Sequence, residues 1–144
     1  WVDGVELSVA ILGNGWDAYA LPPVEIVARE GEFFDSSARM RDDAVEFFCP
    51  VRPESLSPDE ATAHAIRAEI ERAALEVYRA YGARDLGRVD LVWDGGQARC
   101  FELDVSPGMT PHSLFPMACE AAGLSLPKVL DTLVEEAYAR GAKF

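Results

Sequence analysis

Apolar positions along the chain follow two rhythms, a period of two in short segments and a period near 3.6 in longer ones. Val5-Glu6-Leu7-Ser8-Val9 alternates and then runs into Ala10-Ile11-Leu12, so 5–12 reads as a strand. Gly13-Asn14-Gly15 is a turn, and Val24-Glu25-Ile26-Val27 reads as a second strand whose start is held to a sheet edge by Pro22-Pro23. These two strands are expected to pair as an antiparallel hairpin. Residues 33–50 are charged in the middle and carry Phe33-Phe34 and Phe47-Phe48 at the ends, the pattern of a mobile loop anchored on a core. Ser57-Pro58-Asp59-Glu60 reads as a capping box with proline at the first helical position. Ile66, Ile70, Ala73, Ala74, Val77 and Tyr81 then recur at helical steps as one stripe facing the sheet, until Gly82 ends the helix. His64 lies off that stripe and reads as a surface residue.

The next two strands form the centre of interest. Gly87–Trp93 and Arg99–Asp104 flank Asp94-Gly95-Gly96, a strong hairpin signal. Beyond them, a Pro/Gly-broken loop (105–112) leads to a short apolar helix with Ser113 at its N-cap. A last helix starts at Ser125-Leu126-Pro127 and ends at Gly141. Leu126, Val129, Leu130, Leu133, Val134 and Ala137 are its expected buried stripe, with Glu135-Glu136 facing solvent. Hairpins in place of alternating βα units indicate an α+β fold with an antiparallel sheet.

Side chains alternate faces along a strand. If the hairpin turn centres on Gly96, Asp90 lies opposite Glu102 and Arg88 opposite Asp104, which crowds three carboxylates and one guanidinium into a single patch. Like charges about 4–5 Å apart repel by roughly 4 kcal/mol per pair at an effective dielectric of about 20. Such a patch asks for a divalent cation or a shared proton. Alternating charge is equally the ordinary solvated face of an antiparallel sheet, and a one-residue slip of register would disperse the cluster.

Length and composition narrow the field. The 144 residues amount to one domain, 1–144, with 49% hydrophobic content to build its core. A net charge of −12 argues against a nucleic-acid backbone as partner, although magnesium can join an acidic protein to a nucleotide. Cys49, Cys100 and Cys119 are widely spaced and suggest neither a disulfide framework nor a zinc site. There is no apolar run long enough for a membrane span and no signal peptide, so the domain is expected to be cytoplasmic. The start at Trp1 suggests a piece of a larger chain.

Arg88-Val89-Asp90, followed by Glu102-Leu103-Asp104-Val105-Ser106-Pro107-Gly108-Met109-Thr110-Pro111-His112-Ser113-Leu114, closely resembles the signature of the D-alanine–D-alanine ligases. These are ATP-grasp enzymes that make the dipeptide end of the peptidoglycan precursor. Gly4–Leu12 resembles the family as well. The resemblance implies the C-terminal subdomain of an ATP-grasp fold, with ATP and Mg2+ (or Mn2+) as cofactors and D-alanine as substrate. It implies that Asp90, Glu102 and Asp104 hold metal and that Arg88 acts in catalysis. ATP would be contacted by Trp1, Val2, Glu6, Phe33, Arg39 and Phe101, with Glu6 on the ribose. The amino-acid substrate would meet Gly108, Ser113 and Leu114, and residues 33–50 would be the lid.

Three departures stand out: Arg39 replaces the family's lid lysine, Met40 its tyrosine, and Asp104 its usual metal-binding asparagine. They leave open a related carboxylate–amine ligase with another acceptor, or a non-catalytic remnant. The resemblance also implies that N-terminal and central domains lie elsewhere in the complete enzyme, and that the isolated piece folds without catalysing. A homodimer is left open, and no nucleic-acid or membrane partner is expected.

Overall fold

The alternation in Val5–Leu12 gives strand β1, the centre of an antiparallel sheet. In the computed structural model, which describes residues 2–28 and 45–141, the strands lie in the order β4-β3-β1-β5-β6. They span Val45–Phe48 (β4), Val24–Ala28 (β3), Leu86–Trp93 (β5) and Ala98–Asp104 (β6), and a two-residue β2, Tyr19–Ala20, also pairs with β1. The helices are α1 (Pro53–Leu56), α2 (Glu60–Ala80), α3 (Leu114–Ala121) and α4 (Leu126–Ala139). This is the α+β architecture expected from the sequence.

β1 packs on both faces, which is why its second half is apolar without interruption. Leu7, Val9 and Ile11 are fully buried with Val89, Leu91 and Trp93 of β5 beneath Ile70, Ala74 and Tyr78 of α2. On the other face, Ala10 and Leu12 join Leu21, Val24 and the α3 residues Phe115, Ala118 and Cys119. That second helical layer stops short of Glu6 and Ser8. One end of the sheet face is thereby left for polar side chains.

β1 and β3 pair as expected, with Ser8 opposite Val24 and Glu6 opposite Ile26. β2 pairs in a register offset by one residue (Ile11 with Ala20), and Leu21-Pro22-Pro23 absorbs the extra residue where the prolines have no N–H to give the ladder. The reading of 33–50 as loop is corrected at its end, because Val45–Phe48 is the edge strand β4, paired with β3 from Glu25–Phe48 to Ala28–Val45. Residues 33–44, including Phe33, Arg39 and Met40, lie outside the described residues, as does Trp1.

The expected capping box is also displaced. Ser57 closes α1, and Asp59 is the N-cap of α2, accepting from the Thr62 N–H at 2.8 Å and the Thr62 hydroxyl at 2.6 Å. An aspartate one residue before the first helical turn outcompetes the serine two residues further out. Tyr78, rather than Tyr81, completes the buried stripe: Tyr81 is 79% exposed at the C-cap, whereas the Tyr78 ring lies over Gly87. A Cβ on Gly87 would sit 2.8 Å from that ring. The Tyr78 hydroxyl donates to the Gly13 carbonyl at 3.0 Å, and burial together with the Asp85 charge pushes its pKa up to about 12. On α4 the expected stripe is only half-covered and Val134 is exposed, since α4 meets the rest of the protein chiefly through Leu126, Val129 and Leu133. Among the described residues no helix is long and apolar enough to cross a membrane.

Candidate functional site

The charged patch assembles, but by a route the turn alone does not provide. The hairpin closes through Asp94 and Gln97, and the Asp94 carboxylate accepts from the Gly96 and Gln97 N–H groups and from Arg99. These bonds, Arg99's first, hold the Asp94 pKa down at about 2. Near this turn the ladder pairs Trp93 with Ala98, Val92 with Arg99 and Leu91 with Cys100. Continued unchanged, that register would set Asp90 opposite Phe101 and send Glu102 to the other face.

A β-bulge intervenes between Asp90 and Leu91, leaving Phe101 as the extra residue of β6. Beyond it Asp90 pairs with Glu102, Val89 with Leu103 and Arg88 with Asp104. All four polar residues therefore share one face, as the sequence reading required. The assumed centre of the turn was off by half a residue, and the bulge restores the pairing.

On that face Arg88 grips Asp90 with two hydrogen bonds, Nε to Oδ1 and Nη2 to Oδ2, both 2.9 Å. Its Nη2 also approaches Asp104 Oδ2 at 3.6 Å. Burial alone would lower the Arg88 pKa, but its bonds to Asp90 and the charges of Asp90, Asp104 and Glu102 raise it, so the guanidinium stays charged. Asp104 Oδ1 accepts from the Ser106 N–H at 2.8 Å, and Glu102 is exposed. Ser8, which the sequence reading did not single out, completes the arrangement: it pairs with Asp90 in the β1–β5 ladder and its hydroxyl donates to Oδ1 at 2.7 Å. Its only signal in the sequence is a lone hydroxyl in an apolar strand. Glu6 stands on the same face, two positions further along β1, opposite Val92.

An all-oxygen donor set of carboxylates suits a hard divalent cation. Asp90, Glu102 and Asp104 match it in chemistry and in face. Among the described residues, however, no three acidic, histidine or cysteine side chains already converge on one point.

The remaining expected positions divide. Val2 is exposed ahead of β1. Phe101 is 59% exposed and, with Glu102, borders a hollow of about 630 Å3 whose far wall is Val77 and Tyr81 of α2. Gly108 does not occupy the left-handed conformation a type II turn would require. Space reserves it for glycine, because a Cβ there would lie 2.8 Å from Ser113 Oγ.

Ser113 is the N-cap of α3 by position, but its hydroxyl makes no cap bond and turns instead to the Thr110 N–H (3.2 Å) and Thr110 Oγ1 (2.8 Å). Part of the reason is local: Pro116 occupies the third helical position and has no N–H to offer, which leaves only the Phe115 N–H for a cap bond. Leu114 is half-buried against the α3 core. Cys49, Cys100 and Cys119 are free thiols, with Cys100 in β6 and Cys119 buried in α3; burial raises all three pKa values, that of Cys49 to about 11.

An ion pair with no signal in the sequence pattern lies on the opposite face, between a buried glutamate and a partly exposed arginine. Glu25 is 3% exposed and accepts from Arg52 Nε (3.0 Å), Arg52 Nη2 (2.8 Å), the Arg52 N–H (3.2 Å) and the Ser55 hydroxyl (2.7 Å). Arg52 in turn lies 3.9 Å over the Phe48 ring. The cluster ties α1 to the sheet.

Residues 1–135 match the family model described as "D-ala D-ala ligase C-terminus". The D-alanine–D-alanine ligase of Bordetella avium is 38% identical over 138 residues, and that of Bordetella petrii 39% over 138. Each match takes in 95% of this chain, which spans only about 40% of the length of these relatives. Among solved structures, the Bacillus anthracis D-alanine–D-alanine ligase complexed with ATP is similar with a TM-score of 0.68 and 27% identity, covering 94% of this chain and 40% of that one. The D-alanyl-alanine synthetase A of Vibrio cholerae is similar with a TM-score of 0.70 and 26% identity, covering 94% of this chain and 39% of that one. Fold and sequence agree, and the chain belongs to the D-ala D-ala ligase C-terminus family.

Proposed function

We propose that this chain is the C-terminal part of a cytoplasmic ATP-dependent ligase that joins two D-alanines for peptidoglycan precursor synthesis. The reaction passes through an acyl phosphate: the carboxylate of one D-alanine takes the terminal phosphoryl group of ATP, and the amine of the second displaces the phosphate. The observation that carries this reading is the bulge-corrected register that sets Arg88, Asp90, Glu102 and Asp104 on one face. Further support comes from the family match and from relatives named D-alanine–D-alanine ligase.

Asp90, Glu102 and Asp104 would hold Mg2+, which when bound neutralises phosphate charge during an in-line transfer. Asp90 already accepts three hydrogen bonds, so it offers one remaining lone pair on Oδ2. Glu102 offers a whole carboxylate. Of the five N–H donors of Arg88, two are spent on Asp90 and the rest remain to stabilise the oxyanion that forms when the amine attacks.

Glu6 would bind the ribose, with Trp1, Val2, Phe33, Arg39 and Phe101 around the remainder of ATP and 33–44 contributing a lid. Gly108, Ser113 and Leu114 would receive the second D-alanine, its carboxylate drawn to the N-terminus of α3. The N-terminal and central domains of the complete enzyme would supply the first D-alanine site and the other wall of the nucleotide site.

Full-length protein tested for ADP release with D-alanine decides the matter. Asp90→Asn and Glu102→Gln should each cut magnesium-dependent turnover about a hundredfold or more, the scale of losing a metal-held transition state. Near-native turnover in either variant refutes the assignment.

A further inference from the structure

We infer that Ser8 is a positioning residue that aims the single free acceptor of Asp90 toward the carboxylates of β6; the inference rests on the proposed reading of Asp90 as a cation ligand. Ser8 and Asp90 are direct ladder partners and are 1% and 4% exposed. A buried hydroxyl in an apolar strand is costly unless it is bonded, and the Ser8 bond goes to Asp90 Oδ1 at 2.7 Å. Together with Arg88 Nε at 2.9 Å it fills both lone pairs of Oδ1. Arg88 Nη2 takes one lone pair of Oδ2 and leaves the other.

Direction follows from strand order. β5 lies between β1 and β6, so a donor on β1 draws Oδ1 to one side and turns Oδ2 toward Glu102 and Asp104 on the other. The terminal torsion of an aspartate is broad and roughly two-fold. Arg88, two residues away on the same strand, can hold the carboxylate in either sense. Ser8 is the donor that breaks this symmetry.

The test uses the 144-residue chain and Mn2+ alone, with free Mn2+ read from its electron paramagnetic resonance signal and thermal melting used to confirm that each variant folds. Ser8→Ala should bind Mn2+ about tenfold more weakly or worse, the usual consequence of losing a group that orients a ligand, whereas Ser8→Thr, which keeps the hydroxyl, should stay within about threefold of the native chain. Asp90→Asn should bind least. Native-like binding by Ser8→Ala, or binding by Ser8→Thr as weak as that of Ser8→Ala, overturns the role of Ser8 and leaves the Asp90 reading intact. Native-like binding by Asp90→Asn, or no binding by the native chain, takes down the Asp90 reading itself.

Discussion

Arg88→Met isolates what the guanidinium does for the patch. Arg88 and Asp90 have side chains only 13% and 6% exposed, and Arg88 provides two of the three hydrogen bonds that Asp90 accepts. Methionine fills much of the space of the arginine stem but leaves a carboxylate with Ser8 alone, facing Asp104 and Glu102. Breaking a buried ion pair from one side costs about 3–5 kcal/mol.

Urea unfolding of both chains at pH 7, in EDTA, measures the deficit. Millimolar Mg2+ should then stabilise the variant more than the native chain, because a divalent cation replaces the missing positive charge and binds the folded state alone. A loss under about 1 kcal/mol at pH 7, the size of an exposed pair, or Mg2+ stabilisation no greater in the variant than in the native chain, would refute the reasoning.

Glu25→Gln should lower stability at pH 7 by about 1–3 kcal/mol, since it removes charge-assisted bonds from a buried site. Burial pushes the Glu25 pKa up, but the Arg52 side chain, Ser55 and the Arg52 N–H together bring it below the usual carboxylate value. Its contribution is therefore complete above the ordinary glutamate range and is lost as pH falls through the depressed folded value, so the native chain should lose urea resistance below about pH 4.3 more steeply than the variant. Gly4→Ala should cost about 1–3 kcal/mol or more by overpacking, because the new Cβ would collide with Trp93 O and meet Val92 Cγ1 at 2.7 Å; a melting temperature within error of native contradicts this. The Asp94 carboxyl should titrate near pH 2 by NMR and move up toward ordinary aspartate in Arg99→Ala, with the turn's contribution present above that ordinary value and lost as pH falls through about 2. An unshifted midpoint in Arg99→Ala contradicts the assignment.

The parts of the fold legible in the sequence were those where one face is apolar and the other polar. β1, β3, β5, β6 and α2 all announce themselves through period two or 3.6. β4 did not, because Val45-Glu46-Phe47-Phe48 is an edge strand too short to show its alternation beside a charged segment. The bulge at Phe101 was invisible for a different reason: turn chemistry specifies the ladder only as far as Leu91–Cys100.

The four polar residues were nevertheless identified together, because motif resemblance fixed them independently of register. Ser8 and the Glu25–Arg52 pair escaped, since each gains its meaning from a partner 82 or 27 positions away. Ser113 was placed correctly at the start of α3, and only the direction of its hydroxyl, set by Pro116, differed from expectation.

The most direct test of the account is paramagnetic broadening of backbone amide signals by substoichiometric Mn2+ in the 144-residue chain. The account predicts that Asp90, Glu102 and Asp104 broaden first while Glu25 and Glu71, on the α2 side of the sheet, stay sharp. Broadening centred on those two residues, or spread evenly over the acidic surface, would contradict it.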